Sequence, residues 1–309
     1  MCGLFGFTGY GEPLKDANNL VSSLARQSAV RGTDATGIAY VNRGKLEVRK
    51  AAKSAYEFNV TLPKEVKTVV GHTRHSTQGS EKRNINNHPF VGSFKNNSYF
   101  ALAHNGILSN DISLRKSLKL PKTKVETDSF VAVQLLEKKG DLSIESIKYM
   151  AEKVNGSFSF SMLDDGNNHY LVKGDSPITM LHFAKSKVYV YASTDEILWK
   201  ALINTEMFQQ LKRGGFEEII LNVGQILKIY PTGKLEYGDF KYSECYSSYN
   251  WWNYGRKTTA SNQYLDDLKQ VANSMGYDDT HISELFECGY TCDEIEEMLY
   301  EAGYEFCEY

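Results

Sequence analysis

Cys2 directly follows Met1, and a second residue this small favours removal of the initiator. A mature chain that starts at Cys2 carries a thiol and a free α-amine on one residue. The amine, with an ordinary pKa of about 7.7–8.0, is partly neutral near pH 7 and can take the thiol proton. That is a nucleophile with its own base, suited to acyl transfer. The plainer alternative is a small residue at position 2 by chance, so partners have to be found. Thiol-mediated amide hydrolysis needs donors for an oxyanion and charged groups that fix the substrate. Asn105-Gly106 could aim a side-chain amide and a backbone N–H at one oxygen, although the same dipeptide is a strong turn signal. Arg74 sits in the polar run 71–79 (GHTRHSTQG), where a guanidinium fork could hold a carboxylate or serve the fold alone. Asp128 could hold an ammonium, or complement the dipole of the helix it opens. The run 31–37 (RGTDATG) could order the nucleophile or form a plain turn.

These residues need elements to carry them. Short β-rich runs dominate up to about residue 240: 3–8, 38–41, 46–49, 68–72, 99–104, 157–163, 169–173, 179–184 and 188–192. Phe158, Phe160 and Met162 alternate with Ser157, Ser159 and Ser161, the period-two pattern of a strand. Asn42-Arg43-Gly44 reads as a hairpin turn. The runs 218–221 and 225–230 are expected to pair across Asn222-Val223-Gly224, with 234–237 extending the meander. Helices are predicted over 14–27, 127–138 with Thr127 as N-cap, 144–154, and 195–204 capped by Thr194 or Asp195. The boundaries expected are a main domain over 2–242, a linker or strap over 243–262, and a small three-helix unit over 263–309. Its helices are predicted at 263–275, 280–287 and 291–301, each followed by Gly-Tyr suited to a left-handed C-cap.

Composition narrows the class. With 41% apolar and 24% charged residues, the chain reads as an ordinary globular protein. The formal net charge is −3, with no basic, aromatic-interleaved patch, so nucleic acid is not an expected partner. No run of 18 apolar residues is present, so no membrane partner is expected, and the N-terminus lacks the pattern of a signal peptide. The cysteines Cys2, Cys245, Cys288, Cys292 and Cys307 are odd in number and unevenly spaced, which suits a reducing cytoplasm. Cys288, Cys292 and His281 fall short of a convincing ligand set, so no metal site is expected, and no cofactor is called for.

In order along the chain run CGLFG (2–6), RGTDATGIA (31–39), GHTRHSTQG (71–79), NNHPF (86–90), ALAHNGILSN (101–110), VETDSF (125–130), NGSFSFSML (155–163), ASTD (192–195) and LNVGQI (221–226). From residue 2 to about 240 the chain resembles a class II glutamine amidotransferase domain, a member of the N-terminal-nucleophile hydrolases. It is similar to the glutaminase domains of glucosamine-6-phosphate synthase and amidophosphoribosyltransferase. The resemblance implies an α+β fold, a four-layer αββα sandwich of two antiparallel sheets, here followed by a small C-terminal helical unit. It implies glutamine hydrolysis to glutamate and ammonia through a Cys2 thioester. By the same resemblance Asn105 and Gly106 form the oxyanion hole, Arg74 with Thr77 beside it holds the α-carboxylate, and Asp128 holds the α-amine. Arg26, Arg31 and Asp34 fall where relatives order the pocket, and His88 is structural or close to the site. The partners implied are L-glutamine and a separate acceptor or synthase subunit, with homo-oligomerisation left open. His75 and Gln78 depart from glucosamine-6-phosphate synthase, which has tryptophan and histidine there, and no acceptor domain is recognisable in the remaining residues. An amidohydrolase acting on another γ-glutamyl or amide substrate, and a non-catalytic binding module, stay as alternatives.

Overall fold

The computed structural model describes residues 2–203, 205–242, 269, 272–273, 278–287 and 295. The chain divides into two compact units, Met1–Cys245 and Tyr246–Tyr309.

In the first unit the strands are β1 (Gly3–Gly9), β2 (Ala35–Asn42), β3 (Lys45–Ala51), β4 (Thr68–Arg74), β5 (Phe90–Ser93), β6 (Tyr99–Leu108), β7 (Gly156–Asp164), β8 (His169–Lys173), β9 (Thr179–Phe183), β10 (Val188–Ala192), β11 (Glu217–Glu218), β12 (Gln225–Ile229) and β13 (Leu235–Asp239). The helices are α1 (Ala17–Ser28), α2 (Asp111–Ser117), α3 (Phe130–Lys139), α4 (Ile144–Lys153), α5 (Asp195–Leu202) and α6 (Phe208–Lys212). One sheet has the order β11-β9-β10-β1-β4-β2-β3 and the other β13-β12-β8-β7-β6-β5. Every ladder in both is antiparallel.

Side-chain alternation sorts the core into layers. On β1, Phe5 and Phe7 face helices α1 and α5, with Leu20, Val21, Leu24, Ile197 and Leu198. Leu4 faces the other way and packs with Val70, Ala103, Leu163, Leu171 and Tyr191 between the sheets. Phe100, Leu102, Phe158 and Phe160 meet α3 and α4 on the far side. The result is the expected four-layer αββα sandwich, and each fully buried Leu or Phe in it contributes roughly 1.5–3 kcal/mol.

On the serine face of β7, Ser159 and Ser161 are also buried. Ser161 bonds His169 at 3.0 Å and Tyr191 at 2.7 Å, and His169 bonds Thr8 of β1 at 2.9 Å. This network joins the two sheets through paired polar groups, which removes the cost of burying them alone.

Several elements differ from the sequence-based expectation. The runs 218–221 and 225–230 do not form a hairpin. Glu217–Glu218 pairs with β9 in one sheet, whereas β12 pairs with β8 and β13 in the other. The connection between them crosses from sheet to sheet, with Leu221 buried in the inter-sheet core. Short β5, α2 and α6 give no long apolar period and were not anticipated. Helix α3 begins at Phe130 rather than at residue 128 after a Thr127 cap, because Thr127, Asp128 and Ser129 form a buried turn ahead of it. Thr194 does cap α5, accepting from the Ile197 amide.

The second unit contains helix α7 (Asp279–Glu287), at the place expected for the middle of three helices. The expected linker 243–262, nearly all of the helices expected over 263–275 and 291–301, and Cys245, Cys288, Cys292 and Cys307 lie outside the described residues. Among the described residues no helix is long and apolar enough to cross a membrane.

Candidate active site

The register of the central strands collects the candidate residues at one end of the sandwich. β1 lies between β10 and β4, and its ladder with β4 ends at Gly3–Thr73. Cys2 and Arg74 are the next residues along those two strands. Arg74 in turn opposes Ala35, so Asp34 comes next beyond that ladder. Period-two alternation places Cys2 and Arg74 on the same face as Leu4 and Val70, towards the space between the sheets. Asn105 shares that inward face with Ala103 on β6. His72 Nε2 donates to the His104 carbonyl at 2.9 Å, which ties β4 to β6 next to Asn105.

Cys2 is half-buried, and its Sγ lies 3.5 Å from both the amide nitrogen and the carbonyl oxygen of His75. Burial pushes the thiol pKa up; the His75 amide and the charge of Arg74 pull against that, and the charge of Asp128 adds to it. Arg31 Nε donates to the Cys2 carbonyl at 2.9 Å. Asp34 accepts from the Ser76 amide at 2.7 Å, and its own amide donates to the Arg74 carbonyl at 3.0 Å. Arg31 and Asp34 thus hold the two segments that meet at the sulfur. Arg26, in the last turn of α1, is exposed.

Arg74 is only 2% exposed. Its Nη1 donates to Asn87 Oδ1 at 2.8 Å, and its Nη2 donates to the carbonyls of Gln78 and Gly79, each at 2.7 Å. It forms no ion pair among the described residues. A buried guanidinium with only neutral acceptors is an electrostatic deficit that an anion would relieve. Burial lowers its pKa, while Glu81, Asp34 and Asp128 supply opposing negative charge at longer range. Thr77 stands exposed in the loop that Arg74 holds.

Asp128 is 4% exposed and belongs to the same end. Its Oδ2 accepts the Leu108 amide at 2.5 Å, and its Oδ1 accepts the Ser129 hydroxyl at 3.2 Å. Asn105 is 2% exposed, and its Nδ2 is buried without a hydrogen-bond partner. A buried N–H of this kind costs about 1–3 kcal/mol unless something accepts from it. Gly106 has φ +132°, and a Cβ there would lie 2.0 Å from the Ser157 carbonyl oxygen, so only glycine fits. The strand stays paired through this residue, with Gly106 opposite Phe158, so Asn105-Gly106 is not a hairpin turn.

His88 is buried, with its ring 4.2 Å from that of His72 and 4.3 Å from that of Phe90. Burial holds its imidazole well below the usual histidine range. It packs behind the site. Among the described residues no cluster of His, Cys, Asp and Glu is arranged for a metal ion. Sequence reasoning missed the residues that seat the charged groups: Asn87 under Arg74, and Ser129 and the Leu108 amide on Asp128. Asn87 and Ser129 stand inside runs already singled out, NNHPF and VETDSF, but a supporting contact leaves no pattern of its own.

Residues 72–200 match the family model described as a glutamine amidotransferase domain. Over 187 residues the chain is 32% identical to glutamine–fructose-6-phosphate aminotransferase (isomerizing) of Aquifex aeolicus, covering 58% of this chain and 30% of the relative. The corresponding protein of Chlamydia muridarum is 28% identical over 240 residues, covering 74% of this chain and 37% of the relative. The chain thus spans about a third of the length of these relatives. The fold matches that of the glutamine phosphoribosylpyrophosphate amidotransferase of B. subtilis with TM-score 0.61 at 23% identity, over 78% of this chain and 50% of that one. Residues 72–200 thus match a glutamine amidotransferase domain, on a fold similar to that of the B. subtilis amidotransferase.

Proposed function

We propose that this domain hydrolyses the side-chain amide of L-glutamine and passes the ammonia to a separate acceptor subunit. The observation that carries the reading is Arg74, a buried cation without a carboxylate partner at the nucleophile's end of the sandwich. A free amino acid brings the missing carboxylate, and Asp128 offers a counter-charge for its ammonium. Reading both charges rejects amides that lack either one.

The chemistry runs in two halves. Met1 is removed, and the Cys2 amine takes the thiol proton, against the burial that pushes the thiol pKa up. Sγ attacks the amide carbon, and the carbonyl electrons move to oxygen, where Asn105 Nδ2–H and Gly106 N–H stabilise the charge. The amine returns its proton to the leaving nitrogen, ammonia departs, and a thioester remains. Water then adds to the thioester, glutamate leaves, and the thiol is restored.

The test is ammonia and glutamate release by the purified protein, with intact-mass analysis after 6-diazo-5-oxonorleucine. We expect loss of Met1, a single adduct on Cys2, and turnover that Cys2→Ser abolishes without lowering Tm. Full turnover by that variant, or by protein retaining Met1, overturns the mechanism. Preference for a γ-glutamyl peptide over glutamine overturns the substrate.

A further inference from the structure

Lys50 is on β3, the edge strand of its sheet farthest from β10, and on sequence it reads as one more solvated charge. The fold uses it otherwise. Its Nζ reaches the loop ahead of β5 in the opposite sheet, donating to the Asn87 carbonyl at 2.6 Å and the Pro89 carbonyl at 3.0 Å. These two acceptors flank His88. The ammonium also lies 5.3 Å from the centre of the Phe90 ring and forms no ion pair among the described residues. Asn84 Nδ2 donates back to the Lys50 carbonyl at 2.9 Å, so the strand holds both ends of the 84–89 segment. Gly37, opposite Lys50 in the β2–β3 ladder, lets the segment touch down: a Cβ there would lie 2.1 Å from the His88 carbonyl oxygen.

The segment held in this way is the seat of Arg74. Asn87 places Oδ1 on Arg74 Nη1 at 2.8 Å, and its Nδ2 donates to the Glu81 carbonyl at 2.8 Å. Arg74 closes the circuit by gripping the carbonyls of Gln78 and Gly79. Two cations, Lys50 and Arg74, therefore support one loop, and neither forms an ion pair among the described residues. Burial and the nearby Arg74 charge depress the Lys50 pKa to about 8. A fold that needed only a tether at this place would be served by a neutral donor. We propose that Lys50 is a positioning residue for the substrate carboxylate, fixing the Asn87–Pro89 turn so that Asn87 presents the Arg74 guanidinium in its binding orientation.

The inference rests on reading Arg74 as the carboxylate clamp, and its test separates the two claims. Lys50→Met and Lys50→Arg are compared with wild type by glutamine steady-state kinetics and by amide hydrogen exchange over residues 76–89. Lys50→Met is expected to raise KM about tenfold, the loss of charge-assisted bonds to the turn, with kcat within about twofold of wild type. The same variant is expected to speed exchange over 76–89, and Lys50→Arg to restore both. Unchanged KM, a fall in kcat at constant KM, or failure of arginine to restore KM overturns the proposal. If Lys50→Met does not fold, Lys50→Gln, which keeps a donor without the charge, carries the same comparison. Wild-type protein that leaves glutamine intact overturns the functional reading alone; exchange then decides whether Lys50 holds the turn, and unchanged exchange in the variant rejects it.

Discussion

At the scale of single residues, the site is defined by groups that lack partners as much as by those that have them. Asn105 Nδ2 is a buried donor with nothing to bond, and Arg74 is a buried cation with only neutral acceptors. Both are costly in the empty protein, and under the proposed function one ligand, an amide-bearing amino acid passing through an oxyanion, would relieve both. Asn105→Ala should therefore lower kcat by about 10²–10³ while KM changes little, because the oxyanion forms only along the reaction path. Steady-state kinetics on glutamine tests this, and a variant with wild-type kcat removes Asn105 from the oxyanion hole. Cys2, Arg74 and Asp128 were legible in the sequence as candidates because their chemistry is special and their surroundings polar. Lys50 and Asn87 were not, because a lysine on an edge strand and an asparagine in a loop have ordinary reasons to be there.

At the scale of elements, the outer helices are held by local rules that the sequence states clearly. Ser143 caps α4, accepting the Ser146 amide at 3.2 Å, and Asp141 Oδ1 accepts both the Ser143 and Ser146 hydroxyls, at 2.7 and 2.5 Å. Ser143→Ala should cost about 1 kcal/mol of stability, read as a lower urea midpoint at unchanged m-value, with glutamine turnover unaffected. An unchanged midpoint would mean that Asp141 alone caps the helix. Helices α1, α4 and α5 were readable from apolar spacing and caps. The pairing of 217–218 with β9, rather than with β12, was not. Both partners of the expected hairpin have strand-like composition, and only the packing of Leu221 between the sheets sends the chain across.

At the scale of the molecule, the sandwich buries uncharged imidazoles between and beside its sheets. His72 and His169 are fully buried, and burial drives each pKa from 6.5 to about 3; His88 and His104 shift in the same direction. In the unfolded chain these rings charge freely below about pH 6.5. The folded state therefore binds fewer protons between pH 6.5 and 3, and its stability falls as pH drops through that window. For His72 and His169 the loss is about 2 kcal/mol each at pH 5, so Tm should fall steeply between pH 7 and 5. A flat Tm over that range would show that the rings are protonated in the fold, against their burial.

Sequence alone singled out the candidate nucleophile, the candidate partners of opposite charge and the alternating strands of a layered α+β fold, because each is written in residue type or in a period of a few positions. Which strands neighbour one another, and which neutral side chains seat the charged ones, was decided only in three dimensions. Those contacts join residues far apart in the chain, as Lys50 joins Asn87 and His72 joins His104, and short-range spacing carries no record of them.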